Sequence, residues 1–439
     1  MVTLVVSVVA TVPASAGVTV ADDEPAPSFA GPAVTLLFTG DMLIHPRVSR
    51  KGAEYGSAHG AAYDFRPMFD QVRPLVEAAD FAICHQEVQL GVPGSDVSPF
   101  PALAAPSEFA TALTDAGFDA CSTASNHATD HGDEGLRATI QVLDEAGVQH
   151  TGTAANERDA GGTIYDVPPL RIGHASYTYG VQMHSPAHEW SVNMIDSERI
   201  VADAAALKER GADFVVISLH WGQQYRVAPT DSQRRVAETL TASPDIDLIV
   251  GHHAHVLQPI EHVNGTPVIF GLGNFLSNQA PSCCGVNSGD GAAVLVRVRA
   301  AEGDWMVTGL QYVPTWVHRK GGGYIVWPTV GATDESAPLD HLVASQARSY
   351  EQMTIDGIEH AGLSVADGTS WLSRDGVPHW SAERGTGRAP NDETGRDDDV
   401  AGLSPALLES LEQETYRDLA HLGSRLVDGR ERDTADPSE

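Results

Sequence analysis

The chain has 439 residues, enough for more than one domain or for one large α/β domain with an appendage. Its 27 Lys and Arg stand against 59 Asp and Glu, a formal net charge of −32. So acidic a chain excludes wrapping of nucleic acid, which demands clustered cations, although a bound metal can reverse the field at one cleft.

The N-terminus, "MVTLVVSVVATVPASAG", is an apolar run ending in Ala14-Ser15-Ala16, the pattern of a secretory cleavage site. A signal peptide over 1–16 is expected, then a linker over 17–32, although the first basic residue is only Arg47. The run is too short to span a bilayer, and no later segment is long and apolar enough.

From Ala33 to about Val313, strand, loop and helix repeat. "AVTLLFTGD" predicts a strand, and "FAICHQE" and "FDACSTA" predict two more, each after a helical stretch. The segment 133–147 places Leu136, Ile140 and Leu143 on one helix face and ends at Gly147. "ADFVVISLH" and "IDLIVGHH" are further strands, with "DSQRRVAETLTAS" between them as an Asp-capped helix. "TPVIFGLG", "AAVLVRVRA" and "WMVTGLQYVP" follow without intervening helices and are expected to be antiparallel. The alternation predicts an α/β domain over 33–330. A polar linker is expected over 331–400, an amphipathic helix over 401–428 and a disordered tail over 429–439, so that a chain ending near Gly331 should fold. Cys84 and Cys121 lie in apolar runs where a free thiol acts as a small hydrophobe; Cys283 and Cys284, in a Gly/Ser loop, are candidates for a disulfide.

The residues at the strand ends carry the functional signal. Successive strands end in Asp41, in His85 and Glu87, in Asn126 and His127, in His220, and in His252, His253 and His255. Ligand groups of α/β sheets gather past the carboxyl ends of strands. A lone His there is usually structural; five such endings in chain order point to a metal site. Carboxylate, amide and imidazole donors suit Mn, Fe or Zn, and so many of them have room for two divalent ions. His253 and His255, two apart on an extended segment, are expected to face one side, which turns His252 away as a structural residue.

The stretches "FTGDMLIHPRV", "ADFAICHQEVQL", "GFDACSTASNHATDHGDEGL", "ISLHWGQQY" and "IDLIVGHHAHVLQPIEHVNGTPVIFGLGNF" resemble the CapA, or bacterial capsule synthesis (poly-γ-glutamate), family of the calcineurin-like metallophosphatase superfamily. The resemblance implies a four-layer α/β/β/α sandwich with a C-terminal extension. It implies metal ligation by Asp41, Glu87, Asn126, His220, His253 and His255. It makes His127 the residue that protonates or stabilises the leaving group, and Asp130, one turn on, is placed to orient it. The superfamily's His two residues past the first Asp is replaced by Leu43, so His45 is a further candidate ligand, as is His85, which stands where the family has Asn. The family's Pro after the Glu is replaced by Gln89, and Gly273-Asn274-Phe275 resembles its closing motif.

The implied function is that of a secreted metal-dependent hydrolase linked to capsule or poly-γ-glutamate synthesis at the cell envelope, acting on an anionic phosphoester or an acyl polymer. The alternative is a non-catalytic envelope assembly factor that binds or exports anionic polymer. Fold alone does not choose between them.

Overall fold

A computed structural model describes residues 31–329 except 96, 302, 303, 320 and 322, together with 341, 344, 345, 348, 349, 352 and 363–365. The expected signal peptide, C-terminal helix and tail lie outside the described residues.

The first half of the chain winds parallel strands around helices. β1 (Ala33–Leu43) is followed by α1 (Pro46–Ser57) and α2 (Arg73–Glu77), then β2 (Phe81–Gln86). The short β3 (Gln89–Leu90) and β4 (Ala104–Ala105) precede α3 (Glu108–Ala116), β5 (Ala120–Ser122), α4 (Gly132–Ala146) and β6 (Gln149–Thr151). A second unit follows: β7 (Thr163–Val167), β8 (Leu170–Thr178), α5 (Ser197–Glu209), β9 (Phe214–His220), α6 (Asp231–Leu240) and β10 (Leu248–His252). The rest is mostly strand: β11 (Leu257–Val263), β12 (Thr266–Leu272), β13 (Asn274–Ser277), the short α7 (Pro281–Cys284), β14 (Asp290–Ala301), β15 (Asp304–His318), β16 (Ile325–Pro328) and β17 (Leu363–Val365).

These strands form two large sheets. The first runs β16-β15-β14-β1-β2-β5-β6, with β13 beside β1 and β17 beside β15; the second runs β11-β12-β10-β9-β8-β7. Side-chain alternation decides the layering. Leu36, Phe38, Phe81 and Ile83 of the first sheet pack against Ile172, Phe214, Val216 and Val250 of the second. Their alternates face helices: Leu37 and Ala82 meet Phe109 and Leu113 of α3, while Val215 and Ile217 meet Ile200 and Leu207 of α5. This is the α/β/β/α sandwich the resemblance implies.

Most expected elements are present. α4 buries Leu136, Ile140 and Leu143, and Gly147 closes it at φ 77°. The helix at 231–240 is capped by Thr230, not Asp231: Thr230 accepts from the Gln233 amide, and the Gln233 side chain returns to the Thr230 backbone. β14 and β15 are antiparallel, but β12 lies in the other sheet, antiparallel to β11 and parallel to β10.

Two expectations fail. Cys84 and Cys121 are not free: they are register partners in the parallel β2–β5 pair, their Cα atoms 4.4 Å apart, and form a disulfide. Cys283 and Cys284 are bonded to each other. Nor does the folded part stop at 330. Arg348 and Ser345 bind the carboxylate of buried Asp290, Gln352 accepts from the Leu257 amide, and β17 pairs with β15.

Candidate metal centre

β1, β2 and β5 are parallel within the first sheet, and β8, β9 and β10 within the second. Their carboxyl ends lie together, so the residues that follow them meet between the sheets.

β1 bends at its register shift between Asp41 and Met42, where β13 begins to pair with it. The Asp41 amide donates to the Gly273 carbonyl at 2.8 Å. Gly273 has φ 63°, and a Cβ there would sit 2.5 Å from the Asp290 carbonyl oxygen, so this turn requires glycine. Asp41 faces three groups: His255 Nδ1 at 3.0 Å, His252 Nδ1 at 3.2 Å and the His253 amide at 3.2 Å. Burial pushes the Asp41 carboxyl up, but the bonds from His252 and His255 outweigh it and hold the group well below the usual carboxylate range.

Glu87 follows β2. Its Oε1 lies 3.6 Å from His255 Nε2 and 3.8 Å from His220 Nε2, between ligand candidates of two different strands. Both carboxylate oxygens are buried without a hydrogen-bond partner. Burial, then the charges of Asp41 and Asp130, push its pKa well above the ordinary carboxylate value. Such a carboxylate is costly unless a cation completes it.

The loop after β5 brings the next pair. Ser125 donates to the Glu87 carbonyl at 2.6 Å and accepts from the His127 amide at 3.1 Å, tying this loop to β2. Asn126 donates through Nδ2 to Gln182, which turns its Oδ1 toward His220 Nε2, 2.7 Å away. His127 Nδ1 lies 2.6 Å from Asp130 Oδ2, and the Leu103 amide donates to the same oxygen at 2.6 Å. Gln89, which stands in place of the family's Pro, ties this loop down: it accepts from the His131 amide and donates to the Ala128 carbonyl.

The second sheet supplies the histidines. His220 ends β9; burial, then His253 and His85 nearby, push its pKa well down, so the ring is neutral. The segment past β10 is not extended as expected: His253 has φ 83° and His255 φ 54°. The simple alternation therefore breaks, and His252 does not point away. His253 lies 4.6 Å from His220 ring to ring, with a buried, unpartnered Nδ1, and its pKa is pushed to about 3, first by burial.

Among the described residues, two carboxylate–histidine groups have ligand atoms within 4.8 Å of one another: Asp41–Glu87–His255 and Asp41–His85–His252. Asn126, His220 and His253 extend the first from its Glu87 side. His45 joins neither group; its Nδ1 accepts from the Asn278 amide at 3.4 Å, and burial pushes its pKa to about 3. Asn274 braces His255 from Oδ1 and holds Gln279 and the Ser288 carbonyl from Nδ2. Trp221 is a core residue bonded to the Phe270 carbonyl, whereas Tyr179, half-exposed, stacks on His220 at 7°. Sequence reasoning passed over Ser125, Gln182 and Tyr179, which lie outside the strand-end pattern or look like ordinary loop residues.

The bare Glu87 oxygens, the bare His253 Nδ1 and the neutral His220 ring fit a divalent cation, which Asp41, Glu87, Asn126, His220, His253 and His255 would hold. Residues 35–279 match the model of the bacterial capsule synthesis protein PGA_cap family. The chain belongs to that family. It is 28% identical over 254 residues to the PGA biosynthesis protein CapA of Bacillus subtilis, covering 55% of this chain and 63% of that protein. The capsule biosynthesis protein CapA of Bacillus anthracis is 27% identical over 258 residues, 56% of this chain and 60% of that one. The chain thus spans less than two thirds of the length of these relatives. Among solved structures, the calcineurin-like phosphoesterase YfkN of Bacillus subtilis is similar over 73% of this chain and 97% of its own, at 13% identity and a TM-score of 0.40.

Proposed function

We propose that this PGA_cap protein is a metal-dependent hydrolase of anionic substrates, a phosphoester or a γ-glutamyl polymer, acting outside the cytoplasm in capsule synthesis. The observation that carries the reading is Glu87, whose two buried, unpartnered oxygens lie between His255 and His220. The relatives' names, both of capsule or PGA biosynthesis, support the setting. The apolar N-terminal run and the two disulfides favour an oxidising compartment.

A bound divalent cation would polarise the scissile group and make water a nucleophile near neutral pH. The chain's own residues do the rest. Asp130 accepts from His127 Nδ1–H, which leaves Nε2 as the atom that hands a proton to the leaving oxygen. The Leu103 amide fixes Asp130, and Ser125 fixes the backbone of His127.

The test is turnover by the purified full chain with added Mn, on nitrophenyl phosphate and on a γ-glutamyl peptide. Activity that disappears in Glu87→Gln supports the hydrolase. Full metal occupancy with no turnover on either substrate leaves the envelope assembly factor that binds anionic polymer.

A further inference from the structure

Tyr179 is the first residue past β8, and its amide donates to the carbonyl of His220, the last residue of the neighbouring β9, at 3.0 Å. The strand register therefore sets a phenol ring beside two candidate ligands. The ring is parallel to His220 within 7° at 6.3 Å, and lies 4.6 Å from His253. Despite these contacts the residue is 55% exposed, and its hydroxyl has no hydrogen-bond partner among the described residues.

The tyrosine at the other end of the histidine row is held differently. Tyr225 lies 6.1 Å from His255, but its amide donates to the Ala254 carbonyl at 2.7 Å and its hydroxyl accepts from Gln279 at 3.1 Å. Its backbone sits at φ 63°, which a bulky residue adopts only under constraint. Tyr225 is built into the wall of the centre, whereas Tyr179 leaves ring surface open.

That open surface has company. Among the described residues four large apolar side chains are exposed, and two of them, Tyr179 and Met183, stand four residues apart in one loop. The loop is fastened to the one that carries His127. The Gln182 amide donates to the Asn126 carbonyl at 2.8 Å, and Thr129 Oγ1 donates to the His184 carbonyl at 2.6 Å. His127 falls between these two anchors in the chain, and the Phe100 ring meets it edge-on at 6.5 Å. Single exposed apolar residues are ordinary; a group of them pinned beside a reactive centre marks a ligand surface.

We propose that Tyr179 and Met183 form a subsite for the leaving group of a phosphoester, and that this leaving group is aromatic or apolar. The inference rests on the hydrolase reading and narrows its substrate. The group that His127 protonates departs on the side where the 179–184 loop is anchored. A γ-glutamyl polymer would release a charged chain there, and residues 179–190 hold no Lys or Arg to receive it. Tyr179 is a specificity residue in this scheme; no proton or bond passes through it.

The test uses the full chain loaded with Mn and two phosphonates, whose P–C bond resists hydrolysis. In benzylphosphonate a methylene stands in for the ester oxygen; methylphosphonate lacks the ring. Calorimetry should show wild type binding benzylphosphonate ~10-fold more tightly, the scale of one aromatic contact. Tyr179→Phe should keep that ratio, Met183→Ala should lower it, and Tyr179→Ala should bring it close to one. The ratio is taken within each variant, so a weaker metal centre alone does not imitate the effect. Tyr179→Gln, which keeps bulk against His253 without a ring, gives the same reading if the alanine variant does not fold. A wild-type ratio near one, no binding of either phosphonate, or a ratio unchanged in the alanine and glutamine variants would overturn the subsite. Turnover of nitrophenyl phosphate without the ratio would leave the hydrolase reading standing by itself. The ratio without turnover of any substrate would sink the hydrolase reading and keep the aromatic subsite.

Discussion

His127 Nδ1 and Asp130 Oδ2 are 2.6 Å apart, both groups buried, one turn from each other in a loop rather than a helix. On the proposed hydrolase reading, the pair leaves His127 Nε2 as the atom for proton transfer. His127→Ala should bind Mn at full stoichiometry yet lose rate by ~100-fold or more on an alkyl phosphoester, and lose less on a nitrophenyl ester, whose leaving group needs no proton. Steady-state kinetics on both substrates with elemental analysis decides it. Equal slowing on both, or rescue by extra Mn, places His127 among the ligands.

Ligand removal should separate from folding. His253→Ala combined with His255→Ala should lose bound metal by elemental analysis while keeping the wild-type circular dichroism. The wild type should also melt at higher temperature with Mn, by the equivalent of about 2.7 kcal/mol at a hundredfold excess over Kd. Retention of that Mn-dependent rise in the double variant would show that the ion binds elsewhere.

Acid should weaken the fold through His174, which lies away from the ligand set. It is buried against Ser218 Oγ at 2.9 Å and Tyr165 OH at 3.3 Å, and burial, with His252 nearby, lowers its pKa from 6.5 to about 3. An unfolded chain protonates this ring near pH 6.5, the folded one only near 3. Between those values the unfolded state binds more protons, so the contribution is complete above pH 6.5 and drains as pH falls toward 3. Urea midpoints at pH 7 and pH 5, with chelator present, should differ more in wild type than in His174→Gln. An equal difference in both proteins refutes this assignment.

The chain past residue 330 should matter. Asp290 is fully buried and its carboxylate is held by Arg348 and Ser345. A chain ending near Gly331, expected from composition to fold intact, strands that charge. Breaking a buried pair costs about 3–5 kcal/mol. Thermal denaturation should rank the 331 truncation and Arg348→Ala well below the full chain, with a chain ending near residue 366 close to it. A 331 truncation as stable as the full chain would show that Asp290 tolerates isolation.

Position along the strands was legible in the sequence: Asp41, Glu87, Asn126, His220, His253 and His255 were named from strand ends and motif order. Their convergence between two sheets depends on long-range pairing that no local pattern encodes. The direction of His252, though not its reading as structural, goes wrong because alternation holds only while the backbone stays extended, and at His253 φ turns positive. The Cys84–Cys121 bond is hidden in the sequence because the two residues come into register only once β2 and β5 pair. α4 was legible in full, since its 3.6-residue period and terminal glycine are local facts.

The candidate ligands are divided between the sheets, Asp41, Glu87 and Asn126 on one side and His220, His253 and His255 on the other. Neither half alone surrounds an ion. During synthesis the carboxylates exist long before the last histidines are joined, and the strand that flanks β1 on its other side, β14, arrives later still. A centre divided in this way cannot trap a cation on a half-made chain. Cobalt absorbance at these residues would consequently serve as a clock for the docking of the two sheets, silent through local structure formation and rising only when the interior closes.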